Sequence, residues 1–412
     1  MTPDVIVAGA GPAGAAAART LALAGVATLL VDRAAFPRNK PCGGGISTRA
    51  LTRFPWLAAA LGDVDVHTID RLHLEGPEGA TLDLRTPSSS VLLVRRLEFD
   101  HALVEAAAEA GAHVQSGFEI TQVQTTPGEV VLQARDGRRV AAPHVIAADG
   151  VHSVIAKRTG VNSRWPRTHL AIDMMEETPL GTLRAERPDL LWVAYAYNGL
   201  DGYAYVFPKT AHVNVGIGCL LSHFDQSVAD APYALQAQFV SALVDRKVLH
   251  GRSDRGCFTP FLIPVGGPLE RAWHGRVLFA GDAGGFVNAI TAEGIYYAMV
   301  SGELAGRAVA DALVRRDPDD AGRRYERAWR AELGAELADA VHVQRFLFAS
   351  HGRVAAAIRA ASSMSGVTGL IVKYLQGQLS YHSLRRRLLV RFPLAFWRMT
   401  RQPGTRQGVA VS

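Results

Sequence analysis

Between Asp4 and Arg33 the chain reads DVIVAGAGPAGAAAARTLALAGVATLLVDR, and this stretch leaves few options for the fold. Val5 to Ala8 is an uninterrupted apolar run, as expected of a strand buried in a parallel sheet. It enters Gly9-x-Gly11-x-x-Gly14, and an alanine-rich helical stretch follows as far as Ala24. Gly25 ends that helix, and a second strand, Ala27 to Val31, closes on Asp32. Each glycine answers a separate need: a tight turn at Gly9, close backbone approach to a pyrophosphate at Gly11, and close helix–strand packing at Gly14. N–H groups at the helix start, reinforced by the helix dipole, then hold the phosphates. Asp32 stands where an acid accepts from a ribose hydroxyl. GxGxxG alone would mean little in a chain with 40 glycines, but both strands, the helix and the terminal acid are all in place. The stretch is a dinucleotide-binding βαβ unit.

At 412 residues the chain exceeds one ordinary core, so two or three structural units are expected. Its three cysteines, Cys42, Cys219 and Cys257, make no disulfide framework and point to a reducing compartment. The apolar N-terminus lacks a basic leader and is already used by the βαβ unit, so no secretory signal is expected. Nor is a membrane span, because no stretch of ~20 apolar residues free of charge occurs outside that unit. The net charge of +6 comes from arginines spread along the whole chain, which reads as a solvated basic surface. No nucleic-acid motif accompanies it, and neither nucleic acid nor a metal is an expected partner.

Further sheet-forming pieces are scattered. Phe36 to Ser47 carries two prolines and three consecutive glycines, which predicts a loop with its backbone held close to something. Residues 48–61 read as helix, and Arg96 opens another that Gly111 ends. A buried strand, His144 to Ala148, meets Asp149-Gly150, and another, Val277 to Ala280, enters Gly281-Asp282-Ala283-Gly284-Gly285 before a long helix. The expected organisation is a discontinuous nucleotide-binding unit (1–68, 96–165 and 270–315), an inserted β-rich unit (69–95 and 166–269) and a helical region over 316–412.

Three motifs stand in order: the GxGxxG unit, Ala148-Asp149-Gly150 after a buried strand, and Gly275-Arg276-Val277-Leu278-Phe279-Ala280-Gly281-Asp282-Ala283. Together they resemble the flavoprotein hydroxylase superfamily over most of residues 1–310. The resemblance implies FAD and an α/β fold of p-hydroxybenzoate hydroxylase type, a Rossmann-type FAD-binding domain with an interleaved β-rich substrate domain. It assigns a ribityl hydroxyl to Asp282 and a cofactor contact to Arg96, within Arg96-x-x-Phe99-Asp100. The implied cofactor contacts are Gly9, Gly11, Ala13, Gly14, Asp32, Arg33, Cys42, Gly43, Gly44, Arg96, Asp149, Gly281, Asp282, Gly294 and Ile295. A reduced flavin ring favours positive electrostatics near N1 and C2=O, which the start of the helix after Gly284-Gly285 can supply, with Asn288 and Thr291 as polar neighbours or simple caps.

The loop narrows the class. Pro37-Arg38-x-Lys40-x-Cys42-Gly43-Gly44-Gly45 resembles the geranylgeranyl reductase family, as do Tyr203-x-Tyr205-x-Phe207-Pro208 and Ala292-Glu293-Gly294-Ile295 followed by Ser301-Gly302. Leu200 where the family has proline, Tyr205 for tryptophan and Ala292 for glycine are departures that bear on the fit of the substrate chain. The resemblance implies FAD-dependent reduction of C=C bonds in a polyprenyl chain on a lipid, quinone or tetrapyrrole ester. Cys42, Tyr203 and Tyr205 would be catalytic, and NAD(P)H or a ferredoxin would be the electron donor. The bland counterparts are a small filler at Cys42 and ordinary strand packing at the tyrosines. An FAD hydroxylase of aromatic or polyketide substrates is the alternative enzyme, and a non-catalytic flavin-binding electron carrier or partner protein the alternative outside enzymes. The Cys-Gly-Gly-Gly loop separates the reductase from the hydroxylase, and the absence of a paired-tryptophan motif argues against a halogenase. The expected location is cytoplasmic. Leu384 to Arg398 mixes arginines with bulky apolar residues, suited either to peripheral contact with the inner face of a membrane or to packing on the body.

Overall fold

A computed structural model of the chain describes residues 2–86, 91–227 and 231–391. Two units emerge. One takes the chain as far as Lys40, Arg96–His169 and Ile263–Val341; the other takes Pro41–Arg95, Leu170–Leu262 and the chain from His342.

In the first unit the Val5–Ala8 strand lies inside a six-stranded sheet. The order is Trp273–His274, Val277–Phe279, His144–Ala147, Val5–Ala8, Thr28–Val31, His113–Gln115. All pairings are parallel except that of the Trp273–His274 edge. Every residue of Val5–Ala8 is buried, so successive side chains serve opposite faces. Ile6 and Ala8 pack against Phe118, Val130, Leu132 and Ala134, which belong to or precede a small antiparallel sheet of Ile120–Thr125, Val130–Ala134 and Arg139–Ala142. Val7 meets the helix Pro12–Leu23 at Gly14 on the other face.

That helix also packs against Ile295–Val314. The approach is close because both helices present small residues. A β-carbon at Gly302 would overlap the Ala13 carbonyl oxygen, and one at Gly306 would come within 2.9 Å of the Ala17 carbonyl oxygen.

In the second unit a seven-stranded sheet runs Phe258–Pro264, Leu170–Pro179, His212–Leu220, Gly202–Pro208, Leu190–Tyr195, Arg71–Glu75, Thr81–Arg85. From Leu170–Pro179 to Thr81–Arg85 its pairings are antiparallel, apart from that of Leu190–Tyr195 with Arg71–Glu75. Met174, Val206, Val213, Val215 and Ile217 pack with Phe239, Val240 and Leu243 of the helix Pro232–Asp245. Strand alternation sends Met175, Tyr203, Tyr205 and Phe207 to a separate cluster with Leu93 and Val193.

Two local expectations are corrected. Gly45–Ser47 is a strand, not loop, because its backbone pairs with Val91–Leu93. The helix expected over 48–61 is two short ones, Arg49–Arg53 and Trp56–Ala60, broken at Phe54-Pro55 because the residue before proline is disfavoured in helical conformation. Residues 41–68, read with the nucleotide unit, lie in the second unit, as do the helices from His351 onward. Among the described residues no single helix is long and apolar enough to cross a membrane. Phe392 to Arg398 of the basic tail lie outside the described residues.

Gly302→Val forces the helix off the Ala13 backbone and is expected to cost about 2 kcal/mol or more. Thermal melting checks this, and an unchanged midpoint contradicts the packing.

Candidate active site

The first unit carries a dinucleotide cradle. Gly9, at φ +98°, is glycine by necessity, since a β-carbon there would overlap the carbonyl oxygen of Ala148. Gly14 is equally confined, by the carbonyl oxygen of Gly9. Gly11 differs: its β-position is open except for the Arg38 guanidinium, 3.7 Å away. The helix Pro12–Leu23 starts at Gly11 with no side-chain cap and no acidic residue in its first turn. Its leading N–H groups are therefore left to an anion. Asp32 is fixed in place, its carboxylate accepting from the N–H of Ala10 (2.7 Å) and of Ala34 (2.8 Å). Arg33 is exposed.

Positive charge stands beside this cradle. Asp100 is fully buried and holds Arg96 through two hydrogen bonds of 2.6 and 2.7 Å, and Arg38 through one of 2.7 Å. Two guanidiniums on one carboxylate leave a surplus of one positive charge, with Arg38 placed at Gly11. A pyrophosphate matches both the open glycine and this charge.

A second helix start lies at Gly294, where Ile295–Val314 also begins with neither a side-chain cap nor an early acid. Asp282 lies beside it, its Oδ1 3.6 Å from the β-position of Gly294, and Lys40 Nζ is 3.4 Å from its Oδ2. Gly281 donates its N–H to Ser301 Oγ at 2.9 Å and packs on Ala13, whose β-carbon a side chain at 281 would meet at 2.9 Å. Ala292 takes φ +52°, a conformation glycine adopts without strain, which gives a physical reason for the family's preference there. The donors, carboxylates and helix starts present here are those FAD requires. Two residues turn to their own loops instead. Asp149 accepts from Ser153 Oγ (2.6 Å) and the N–H of Ile155 (3.2 Å). Asn288 accepts from the N–H of Ile290 (3.0 Å) and of Thr291 (3.2 Å).

The second unit assembles Cys42, Gly43, Gly44, Tyr203 and Tyr205. Asn214 donates from Nδ2 to the Cys42 carbonyl oxygen at 3.2 Å. The loop lies on aromatic rings: a β-carbon at Gly43 would meet the Phe207 ring at 3.0 Å and that of Tyr205 at 3.5 Å. Gly44, at φ +72°, has no room beside the Val94 carbonyl and is 2.8 Å from Lys209 Nζ at its β-position. Lys209 is buried, pairs with Glu177, and is pushed below its ordinary pKa by desolvation; Arg95 reaches the same carboxylate at 3.6 Å. Tyr203, Tyr205 and Phe207 form a ladder with ring centroids 6.0 and 4.5 Å apart. Tyr205 lies flat across Gly216, where any β-carbon would come within 2.6 Å of its hydroxyl oxygen, and donates to Asp173 Oδ2 at 3.1 Å.

Sequence reasoning did not single out Asp173, Asn214, Lys209, Glu177 or Arg95, and used Arg38 and Lys40 only as motif letters. The available signal was Asn214-Val215-Gly216-Ile217-Gly218, where polar and glycine positions alternate with apolar ones and clear one face of a strand.

The chain is similar to known proteins over most of its length. The family described as FAD binding domain matches residues 2–331. Menaquinone reductase of Mycobacterium tuberculosis is 31% identical over 84% of this chain and 85% of its own. Digeranylgeranylglycerophospholipid reductase 1 of Methanopyrus kandleri is 31% identical over 80% and 86%. A geranylgeranyl bacteriochlorophyll reductase-like protein of Thermoplasma acidophilum superposes with a TM-score of 0.78 at 20% identity, covering 97% of this chain and 98% of the other. Asp282→Ala is expected to purify with a small fraction of the wild-type flavin, measured by visible absorbance against protein; full flavin content would contradict the placement of that carboxylate. The chain belongs to the geranylgeranyl reductase family of FAD-dependent oxidoreductases.

Proposed function

We propose that this protein saturates isolated C=C bonds of a polyprenyl chain carried by a lipid, quinone or tetrapyrrole ester. The observation that supports this most is the aromatic ladder of Tyr203, Tyr205 and Phe207 beneath the Cys42–Gly45 loop. An extended apolar chain suits such a surface, with few polar groups to satisfy.

Bound FAD, when reduced, supplies a hydride. The protein's own residues supply the rest. Gly9, Gly11, Asp32, Arg38 and the helix start at Pro12 hold the pyrophosphate and ribose, with Ala13 and Gly14 packing behind and Arg33 at the rim. The resemblance adds Arg96, Gly281, Asp282, Gly294 and Ile295 to the cofactor contacts and assigns Cys42, Gly43 and Gly44 to the cofactor as well, while Asp149, whose carboxylate is held by Ser153 and Ile155, packs its backbone against Gly9. An isolated trisubstituted alkene is a poor hydride acceptor, so a proton must reach one carbon as the other becomes electron-poor. Cys42, Tyr203 and Tyr205 are the donors on this surface. The faces of Tyr203 and Phe207 favour the cationic character that develops, and burial keeps water from trapping it. Electrons come from NAD(P)H or a ferredoxin.

With the flavin reduced under anaerobic conditions, a geranylgeranyl lipid is expected to reoxidise it and to gain two hydrogens per bond. Reoxidation that requires oxygen and yields an oxygenated product would replace this reading with the hydroxylase one.

A substrate embedded in lipid also calls for a docking segment at the cytoplasmic face. The helix Tyr381–Arg391 carries Arg385, Arg386 and Arg387 beside Leu389 and Val390, which are 49% and 72% exposed. The protein is expected to sediment with anionic vesicles and to be released by salt. Equal recovery with zwitterionic vesicles would remove the electrostatic part of this contact.

A further inference from the structure

The mechanism above leaves a buried titratable group beside Tyr205 unused. Asp173 belongs to the Leu170–Pro179 strand, is 5% exposed, and projects onto the same sheet face as Tyr205. Among the described residues its only hydrogen-bond partner is the Tyr205 hydroxyl. The second carboxyl oxygen, Oδ1, is buried without a partner and lies over Gly218, 3.9 Å from that residue's β-position. Glu177, two residues along the same face, is neutralised by Lys209 and Arg95; Asp173 has no such cation.

A buried carboxyl without a cation keeps its proton more readily than one in water. Burial raises Asp173 from the ordinary 3.8 to about 7. The surrounding titratable groups do not reverse this. Tyr203 and Cys42 stand beside Tyr205, and Cys219, which packs in the cluster on the opposite face of the sheet, feels both Asp201 and Asp173. Tyr205 itself is pushed well above 10 by burial, with Asp173 adding to the effect, and alone is too weak an acid. The two groups complement each other: the carboxyl has the acidity, and the phenol ring adjoins the Cys42–Gly45 loop, 3.5 Å from the β-position of Gly43. Gly216 keeps the phenol flat enough to meet the carboxyl.

Resting on the reading of this site as an alkene reductase, we propose that Asp173 is the proton reservoir of the reaction and acts through Tyr205. The alkene π pair forms a C–H bond with the proton leaving Tyr205 Oη. The O–H pair stays on that oxygen, which takes the Asp173 proton in the same event. FAD, when bound and reduced, would supply the hydride for the electron-poor carbon, so the alkene would gain the two electrons that the cofactor gives up. Asp173 is left as a carboxylate accepting from Tyr205, the hydrogen bond seen here, until a water proton restores it. Tyr205 is the catalytic residue and Asp173 positions and supplies it.

The test is single-turnover flavin reoxidation by a geranylgeranyl lipid, anaerobic, from about pH 5 to 9, in wild type, Asp173→Asn and Tyr205→Phe. Wild type is expected to slow about tenfold per pH unit above an apparent pKa near 7. Both variants are expected to be slower by about 100-fold, to lose that pH dependence, and to keep wild-type flavin content and substrate affinity. Should Asp173→Asn fail to fold, loss of the alkaline limb in Tyr205→Phe still supports the proposal, and its retention overturns it. A folded Asp173→Asn with wild-type rate and pH profile overturns it as well. A wild type that never reoxidises fails the reductase reading itself, whereas an active wild type with a flat profile defeats only the role of Asp173.

Discussion

The constraint on which the first unit depends is backbone meeting backbone at positions that tolerate no side chain. Gly9 sits against Ala148, Gly14 against Gly9, and Gly302 against Ala13. Together they press the helix Pro12–Leu23 between the Val5–Ala8 strand and the helix Ile295–Val314. Apolar surface is buried without large side chains, which is why alanine fills this helix: Ala13, Ala15, Ala16, Ala17 and Ala18 are all buried. The same closeness leaves the helix start bare of side chains, and the bare N–H groups are what an anion requires. Packing and binding therefore have one cause.

The second unit uses glycine for a different end. Gly216 and Gly218 empty one face of a strand so that Tyr205 can lie across it toward Asp173. Gly43 and Gly44 let the loop backbone settle on aromatic rings and beside the Lys209–Glu177 pair. A buried ion pair of this kind adds little net stability, since desolvation offsets much of the attraction. It stands beside the loop carrying Cys42, whose carbonyl Asn214 holds.

Local signals made the βαβ unit, the two later buried strands and the resemblance of the Pro37–Gly45 loop legible in the sequence, because each is written in consecutive residues. What escaped depends on distant partners. Gly45–Ser47 becomes a strand only through Val91–Leu93, and Arg38 finds its role only through Asp100, 62 residues on. Asp173 was hidden more thoroughly. It shares a stretch with Glu176 and Glu177, so polarity marks both faces of the strand and alternation cannot say which is buried. Its partner Tyr205 is 32 residues away.

In the proposed reaction FAD, when bound and reduced, would supply a hydride and the protein a proton, with molecular oxygen taking no part. Mass spectrometry of the product formed under ¹⁸O₂ in D₂O tests this most directly, because solvent exchange labels both hydrogens that reach the alkene. Two deuterium atoms are expected at each saturated bond, one arriving as deuteron and one as deuteride, with no ¹⁸O in the product. A product containing ¹⁸O, with the double bonds intact, would contradict it.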